Sequence, residues 1–430
     1  MIQSIFIMST DGEVLIERHF RAKTSRAITT FFWEHYNSSS SNFSEVPPIL
    51  MYNEHTIISI QRDSLIYISV CSNEMPPLLA IEFLHRIADI FHQYFGEPVD
   101  DIAIKDNFST VYQLLEEMID NGWPLTTEPN ALKAMIAPPT VLGKIHQVVT
   151  GASNVSDALP DGTISNMPWR KAGVTYAQNE IYVDIVEELD AIVDVNGQVV
   201  SSDINGSIQV QSKLSGVPDL TLTFRDPEVI DDCSFHPCVR YNRYDLDRVI
   251  SFVPPDGNFE LMRYRVKNMA QVITPPIFCS PQLSFGGEEK KDGRISVSIG
   301  LRGNSSLIFG QKKGATQMVE DVIVIIPFPR VVRTANLTVN FGTVLFDEAK
   351  KIARWNVGKI TTNRKCTLTG SMVLSGTAEE NPPLTVSWSI PNASVSGLSV
   401  SGLSIFNESY KPYKGVRCIT KSGRFTVRCT

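Results

Sequence analysis

The sequence predicts an α+β N-terminal domain followed by an all-β region made of two β-sandwich subdomains. Three observations carry that reading. Apolar residues recur at helical spacing only in the first 137 positions. From Trp169 onward, short apolar-alternating runs are cut by turn dipeptides. Between the two regions, residues 138–167 hold Pro138, Pro139, Gly143, Gly151, Pro160, Gly162 and a polar run from Thr150 to Asp157, which reads as a linker. The length of 430 residues exceeds one ordinary core and agrees with several domains.

The first domain, 1–137, opens with a hairpin. Ile2, Ile5 and Ile7 lie in one extended run, Asp11-Gly12 turns, and Val14 to Ile16 return. A short helix fits 24–36, and Asn37 to Ser44 is polar loop. Ile57 to Ile60 and Leu65 to Val70 form a second hairpin around Arg62-Asp63-Ser64. A strong helix then starts at Pro76-Pro77, carries Phe83, Leu84, Ile87, Ile90, Phe91 and Tyr94 on one stripe, and stops at Gly96. A second helix carries Ile104, Phe108, Val111, Leu115, Met118 and Ile119, up to Asn121-Gly122. A third begins near Thr127-Glu128-Pro129. The order suits one sheet with helices packed over it.

In the linker, Val141 to Val149 suit a helical turn or two. Thr163 and Ser165 offer hydroxyls for phosphorylation, as Ser-rich linkers commonly do. The region 168–430 carries turn signals at Asn196-Gly197, Asn205-Gly206, Asp256-Gly257, Gly286-Gly287, Asp292-Gly293 and Ser422-Gly423. It is too long for one sandwich. Residues 168–286 with 395–430 are expected to form one subdomain, and 287–394 an inserted one.

Hydrophobic content of 43% and charged content of 20% suit a globular chain. A formal net charge of −7 opposes whole-chain attraction to nucleic acid or anionic membrane. Seven scattered cysteines fit reduced thiols in a cytosolic protein. The apolar N-terminus is short and lacks basic flanks, unlike a signal peptide. No window offers 18 uninterrupted apolar residues, so a membrane location is expected to be peripheral.

Candidate chemistry is sparse. Cys233, His236 and Cys238 follow no common zinc spacing and lack a fourth ligand, so buried thiols are the plainer reading and no metal is expected. His85 and His92 read as boundary histidines on their helix. Phosphate-binding loops and nucleophile elbows are absent from the sequence, so neither a cofactor nor an enzyme is expected. More informative is the run from Asn179 to Val186. Alternation puts Ile181, Val183 and Ile185 on one face and Tyr182 and Asp184 side by side on the other. That second face either meets water or presents a ring and a carboxylate to a ligand. The last twenty residues carry Lys411, Lys414, Arg417, Lys421, Arg424 and Arg428 and no acid. They read as a basic surface hairpin, or as a contact for acidic lipid headgroups or an acidic partner.

Several strings together resemble the adaptor-protein complex medium (mu) chain family: 168–173, 179–184, 214–219, 234–240, the run 250–265 around Pro-Pro-Asp-Gly, and 411–428. In the first domain, 82–89 and 112–122 agree as well. Wording at 94–97, 103–107 and 125–130 is most like the type-three branch. The resemblance implies a longin-like domain over 1–137 that docks with two large chains and a small sigma chain. It implies a mu-homology domain over 168–430 whose 168–286 plus 395–430 part binds Tyr-x-x-Φ signals, Φ being a bulky hydrophobe, in cytosolic tails of membrane cargo. Tyr182, Asp184 and Arg417 would surround the peptide tyrosine. Ile181, Val183, Val400, Leu403 and Val416 would line the hydrophobic pocket, on a different side of the strand in the case of Ile181 and Val183. Lys411, Lys414, Lys421, Arg424 and Arg428 would form a basic surface facing membrane. The type-three complex sorts cargo between Golgi, endosomes and lysosome-related organelles, so the resemblance implies a cytoplasmic chain, peripheral on those membranes. Endocytic relatives carry lysine, tryptophan and phenylalanine where this chain has Gln211, Gly415 and Tyr182, which implies a different preference beside the tyrosine. The alternative is a structural coat subunit with a vestigial pocket, acting through its first domain.

Overall fold

The computed structural model describes residues 1–21, 23–38, 46–72, 75–139, 167–171, 173–266, 275–285, 292–302, 318–361, 364–376 and 381–429. Of the expected loop Asn37 to Ser44, Asn37 and Ser38 belong to the first helix; its remainder, the linker helix Val141 to Val149, Thr163, Ser165 and the Gly286-Gly287 turn lie outside the described residues. The chain forms two compact units, 1–172 and 173–430.

In the first unit, β1 (Ile2–Ser9), β2 (Val14–His19), β3 (Ile49–Tyr52), β4 (His55–Arg62) and β5 (Leu65–Ser72) make an antiparallel sheet in the order β2-β1-β5-β4-β3. Its helices are α1 (Ala27–Ser38), α2 (Pro77–Phe95), α3 (Asp101–Asp106), α4 (Phe108–Met118) and α5 (Pro129–Met135), with a two-residue pair β6 (Ile119–Asp120) and β7 (Trp123–Pro124). Alternation along β1 sends Ile5 and Ile7 into a core with Phe83, Leu84, Ile87 and Phe91 of α2 and Leu114 of α4. Phe6 and Met8 enter a second core with Ile28, Phe32 and Tyr36 of α1. Helices therefore cover both faces of one sheet, which buries β1 and β5 almost completely.

The spacing from Ile104 to Ile119 implies one helix, and the structure breaks it at Asn107. The Asn107 side-chain amide donates to the Ala103 carbonyl at 2.8 Å, and its N–H donates to the Ile104 carbonyl. Asparagine competes for the backbone in this way and ends α3. Phe108 is left exposed at the start of α4, and Ile119 opens β6. The edge strand β3 escaped sequence reading because four residues show no period.

The second unit is almost entirely strand: β8 (Glu180–Val193), β9 (Val199–Lys213), β10 (Asp219–Phe224), β11 (Ile230–Phe235), β12 (Ile250–Phe252), β13 (Gly257–Val266), β14 (Ile277–Ser284), β15 (Asp292–Leu301), β16 (Met318–Pro327), β17 (Val332–Val339), β18 (Thr343–Asp347), β19 (Ile352–Thr361), β20 (Cys366–Leu374), β21 (Leu384–Pro391), β22 (Val400–Phe406) and β23 (Tyr413–Val427). A nine-stranded sheet runs β11-β13-β9-β8-β23-β21-β16-β19-β18. A four-stranded sheet, β14-β15-β20-β17, accompanies the strands of 277–391, and a three-stranded sheet, β12-β10-β22, accompanies the rest. One short helix, α6 (Tyr241–Asp247), was not legible in the sequence; Arg248 closes it in the left-handed conformation.

Three expected turns prove to be strand. Asp292-Gly293 begins β15. Ser422-Gly423 lies at an irregularity within β23, which pairs on through it from Tyr413 to Val427, so the basic C-terminus is one long strand and not a hairpin. Asn205-Gly206 sits inside β9, where Gly206 faces Glu187 of β8 on one side and Tyr264 of β13 on the other. A Cβ at 206 would fall 2.1 Å from Cζ of Tyr264. The glycine is there because the Tyr264 ring crosses β9 at this point. Gly206→Ala is therefore expected to lower unfolding free energy by about 1–3 kcal/mol through overpacking. Gly376→Ala, with open space around it, is expected to leave the urea midpoint unchanged.

Candidate functional site

β23 pairs in parallel with β8, and the register sets Tyr413 against Glu180, Gly415 against Tyr182 and Arg417 against Asp184. Pairing of β8 with β9 and of β9 with β13 extends this into two cross-strand rows on one face. One row runs Gly415, Tyr182, Gln211, Asn258. The other runs Arg417, Asp184, Gln209, Glu260. A cavity of about 670 Å³ lies over these rows. The outer positions of β8, Tyr182 and Asp184, therefore line this cavity.

Arg417 and Asp184 form a two-pronged ion pair: Nε donates to Oδ1 at 2.6 Å and Nη2 to Oδ2 at 2.7 Å. The Arg417 side chain is 63% exposed and that of Asp184 22%. The hydrogen bond to Asp184 raises the Arg417 pKa further above its ordinary value. Each Asp184 oxygen has spare acceptor capacity toward the cavity.

Tyr182 lies flat over β23. A Cβ at Gly415 would fall 2.5 Å from its Cδ1, so the ring position requires glycine there. The Tyr182 ring is 5.7 Å from that of Tyr413, and its hydroxyl donates to Glu180 Oε2 at 3.4 Å. Desolvation and the Glu180 carboxylate push its phenol pKa up. Gln211 replaces a lysine of the endocytic pattern with a neutral donor and acceptor.

The opposite face of the same strands is apolar. Ile181 and Val183 are fully buried, and Val416, 44% exposed, pairs with Val183. Val400 and Leu403 are half-buried on β22, an edge strand. Lys414 crosses from β23 to β22, donating from Nζ to the Leu403 carbonyl at 2.7 Å. On β23, β21 pairs only from Ile419 onward, so among the described residues the 414–417 edge has no strand beside it other than β8. Two strand edges therefore face a common gap.

Of the expected basic surface, Lys411, Lys414, Lys421, Arg424 and Arg428 are exposed. They do not share one strand face, since Lys414 and Lys421, seven apart in β23, alternate to opposite sides. His236 Nδ1 accepts from the Cys238 N–H at 3.1 Å, a local turn bond. His92 Nε2 bonds Asp63 at 2.6 Å. Sequence reading missed Gln209 and Asn258 as the far wall, and Glu260, which accepts from Gln209 Nε2 at 2.9 Å. The polar-apolar alternation through Ser207 to Gln211 was the available signal.

Comparison with known proteins identifies the family. The model of the adaptor complexes medium subunit family matches residues 167–429, and that of the clathrin adaptor complex small chain matches 1–138. The chain belongs to the adaptor complexes medium subunit family. It is 46% identical to the AP-3 complex subunit mu of Dictyostelium discoideum and 44% identical to the AP-3 complex subunit mu-1 of Homo sapiens, over all of both chains in each case. The AP-3 complex subunit mu-2 of Mus musculus is 41% identical over the full length. In fold, the chain is similar over its whole length to a chain of a homology model of the full-length AP-3 complex in an intermediate open conformation (TM-score 0.58, 18% identity). This adaptor medium subunit is a coat component, membrane-peripheral and associated with other adaptor subunits, and not an enzyme. No helix among the described residues is long and apolar enough to cross a membrane.

Because the Arg417–Asp184 pair is largely exposed, it holds the site's shape and adds little to stability. Arg417→Ala and Asp184→Ala are each expected to change unfolding free energy by less than about 1 kcal/mol. A larger shift in urea denaturation of either variant contradicts the assignment of the pair to ligand binding.

Proposed function

We propose that this adaptor medium subunit binds Tyr-x-x-Φ sorting signals in the cytosolic tails of membrane cargo. The signal pairs as an extended strand along the free edge of β23. The observation that supports this reading is that Tyr182, Asp184 and Arg417 line a cavity on one face of the β8–β23 pair while Ile181, Val183 and Val416 alternate to its apolar face. Residues three apart in an extended peptide point to opposite faces, since side chains alternate with a period of two. A tyrosine at one position and Φ three later match a site with Tyr182, Asp184 and Arg417 on one face and Val416, Val400, Leu403, Ile181 and Val183 toward the other. Φ enters where Lys414 now bridges to Leu403, so that bond opens as the peptide seats.

Asp184 accepts the phenol hydrogen while Arg417 holds the carboxylate in place. Phosphorylation of the cargo tyrosine adds about −2 charge beside Asp184 and Glu260 and is disfavoured.

The remaining parts follow the family pattern. The longin-like 1–137 domain docks to two large chains and a sigma chain; its exposed Leu78, Ile102, Phe108 and Leu125 are apolar groups suited to such contacts. Residues 138–167 act as the linker. The cargo-binding part takes 168–286 with 395–430 and the inserted part 287–394; β14, just before that insert, pairs with β15 inside it. Lys411, Lys421, Arg424 and Arg428 add weak attraction to anionic headgroups. The route is from Golgi and endosomal membranes toward lysosome-related organelles, on coated vesicles.

Calorimetry of the full chain with a Tyr-x-x-Leu peptide is expected to give a micromolar Kd, about −8 kcal/mol at 1 μM. Asp184→Ala weakens binding at least about tenfold, and Phe in place of the peptide tyrosine costs about 1–3 kcal/mol. Unchanged affinity in Asp184→Ala overturns the reading.

A spacing test is independent of that variant. Inserting one residue to give Tyr-x-x-x-Φ puts both side chains on one face, and affinity falls to that of a peptide lacking Φ. Equal binding of both spacings contradicts two-faced capture.

A further inference from the structure

We infer that Glu187 is a positioning residue for the hydrophobic half of this groove: its buried carboxylate anchors the loop that launches β22 and so sets the gap between β22 and β23. The inference rests on the peptide reading given above.

Glu187 is fully buried on the inner face of β8. No Lys or Arg among the described residues forms an ion pair with it. Its charge is met instead by donors from two directions. Tyr264 reaches across Gly206 and donates its hydroxyl to Oε1 at 3.1 Å. The other donors belong to one loop. Ser394 Oγ donates to Oε1 at 3.0 Å, the Val395 N–H to Oε2 at 2.9 Å and the Ser396 N–H to Oε2 at 3.1 Å. The Ser396 hydroxyl also donates to Oε1.

That loop joins β21, the neighbour of β23, to β22. It leaves β21 at Pro391, which pairs with Ile419 of β23, and enters β22 at Val400, which pairs with Phe224 of β10. Ala393 is held on β23 through its N–H to the Cys418 carbonyl at 3.1 Å, and its carbonyl accepts from Thr420 Oγ1 at 2.9 Å. The loop is thus bonded to β8 and β23 together, a few residues before the two side chains, Val400 and Leu403, that form the far wall for Φ. A charge buried without a cation is retained only where its donors are fixed, so the carboxylate and the loop hold one another in one arrangement.

Glu187→Gln keeps the shape but turns an amide NH₂ toward groups that donate. The test measures affinities of the full chain, wild type and variant, for Tyr-x-x-Leu, Tyr-x-x-Ala and Phe-x-x-Leu peptides. In Glu187→Gln, the Leu-over-Ala preference is expected to fall at least about fivefold while the Tyr-over-Phe preference holds within about twofold. Ser396→Ala, which removes one donor and spares the charge, shifts the same preference in the same direction by less. Hydrogen exchange supplies an arm that needs no peptide: amides of 400–406 exchange faster in both variants while those of 180–186 do not.

Unchanged exchange of 400–406 in both variants overturns the inference whatever the peptides do. A parallel fall of both preferences also overturns it, as general loosening of the kind expected from Trp355→Phe in the distal part of the sheet. Failure of the wild type to bind Tyr-x-x-Leu sinks the peptide reading alone, and the exchange arm still decides the anchor.

Discussion

The parallel pairing of β23 with β8 is the constraint on which the rest of the second unit depends. It brings Arg417 to Asp184 across 233 positions of sequence. Parallel partners cannot be joined by a tight turn and need a crossover. Here the crossover holds most of the unit: β9 to β22 all lie between the two strands in sequence. Every strand added between them has to leave that register intact. The length of the pairing, from Tyr413 to Val427, lets β23 complete the cargo-facing part at one end and join β21 at the other.

The two faces of this strand pair carry opposite chemistry because a strand alternates. Outward, Tyr182 and Asp184 stand beside Gly415 and Arg417. Inward, Ile181 and Val183 are buried beside Val416. The two carboxylates on β8 are correspondingly unlike. Asp184 is partly open and paired with a solvated guanidinium, an arrangement that contributes little to stability and leaves acceptor capacity for a ligand. Glu187, three residues on, faces inward, forms no ion pair among the described residues and is bound by Tyr264 and by the 394–396 loop. The first is suited to recognition, the second to holding backbone in place.

Much of the fold was legible locally. Helix α2 showed its start at Pro77, its stripe and its stop at Gly96, because each signal lies within one turn of the element it sets. The alternation of Ile181 to Ile185 separated an apolar from a polar face before any partner was known. Errors arose where a glycine or asparagine answers to something distant or to its own side chain. Gly206 was read as a turn residue and is a passage for the Tyr264 ring. Ser422-Gly423 was read as a hairpin and is an irregularity in a continuous strand. Asn107 ended a helix that the apolar spacing alone carried through.

By itself the sequence determined which stretches are strand or helix, which side of each is apolar, and, through resemblance, which side chains to follow. Only the tertiary structure decided that Gly415 carries the Tyr182 ring, that Lys414 spans to the Leu403 carbonyl, and that a buried carboxylate at 187 ties down the approach to β22. Side-chain periodicity is a property of a single segment, so it can be read along the chain. A gap between two strand edges is a property of segments far apart in sequence, and its width exists only once the sheets have closed around it.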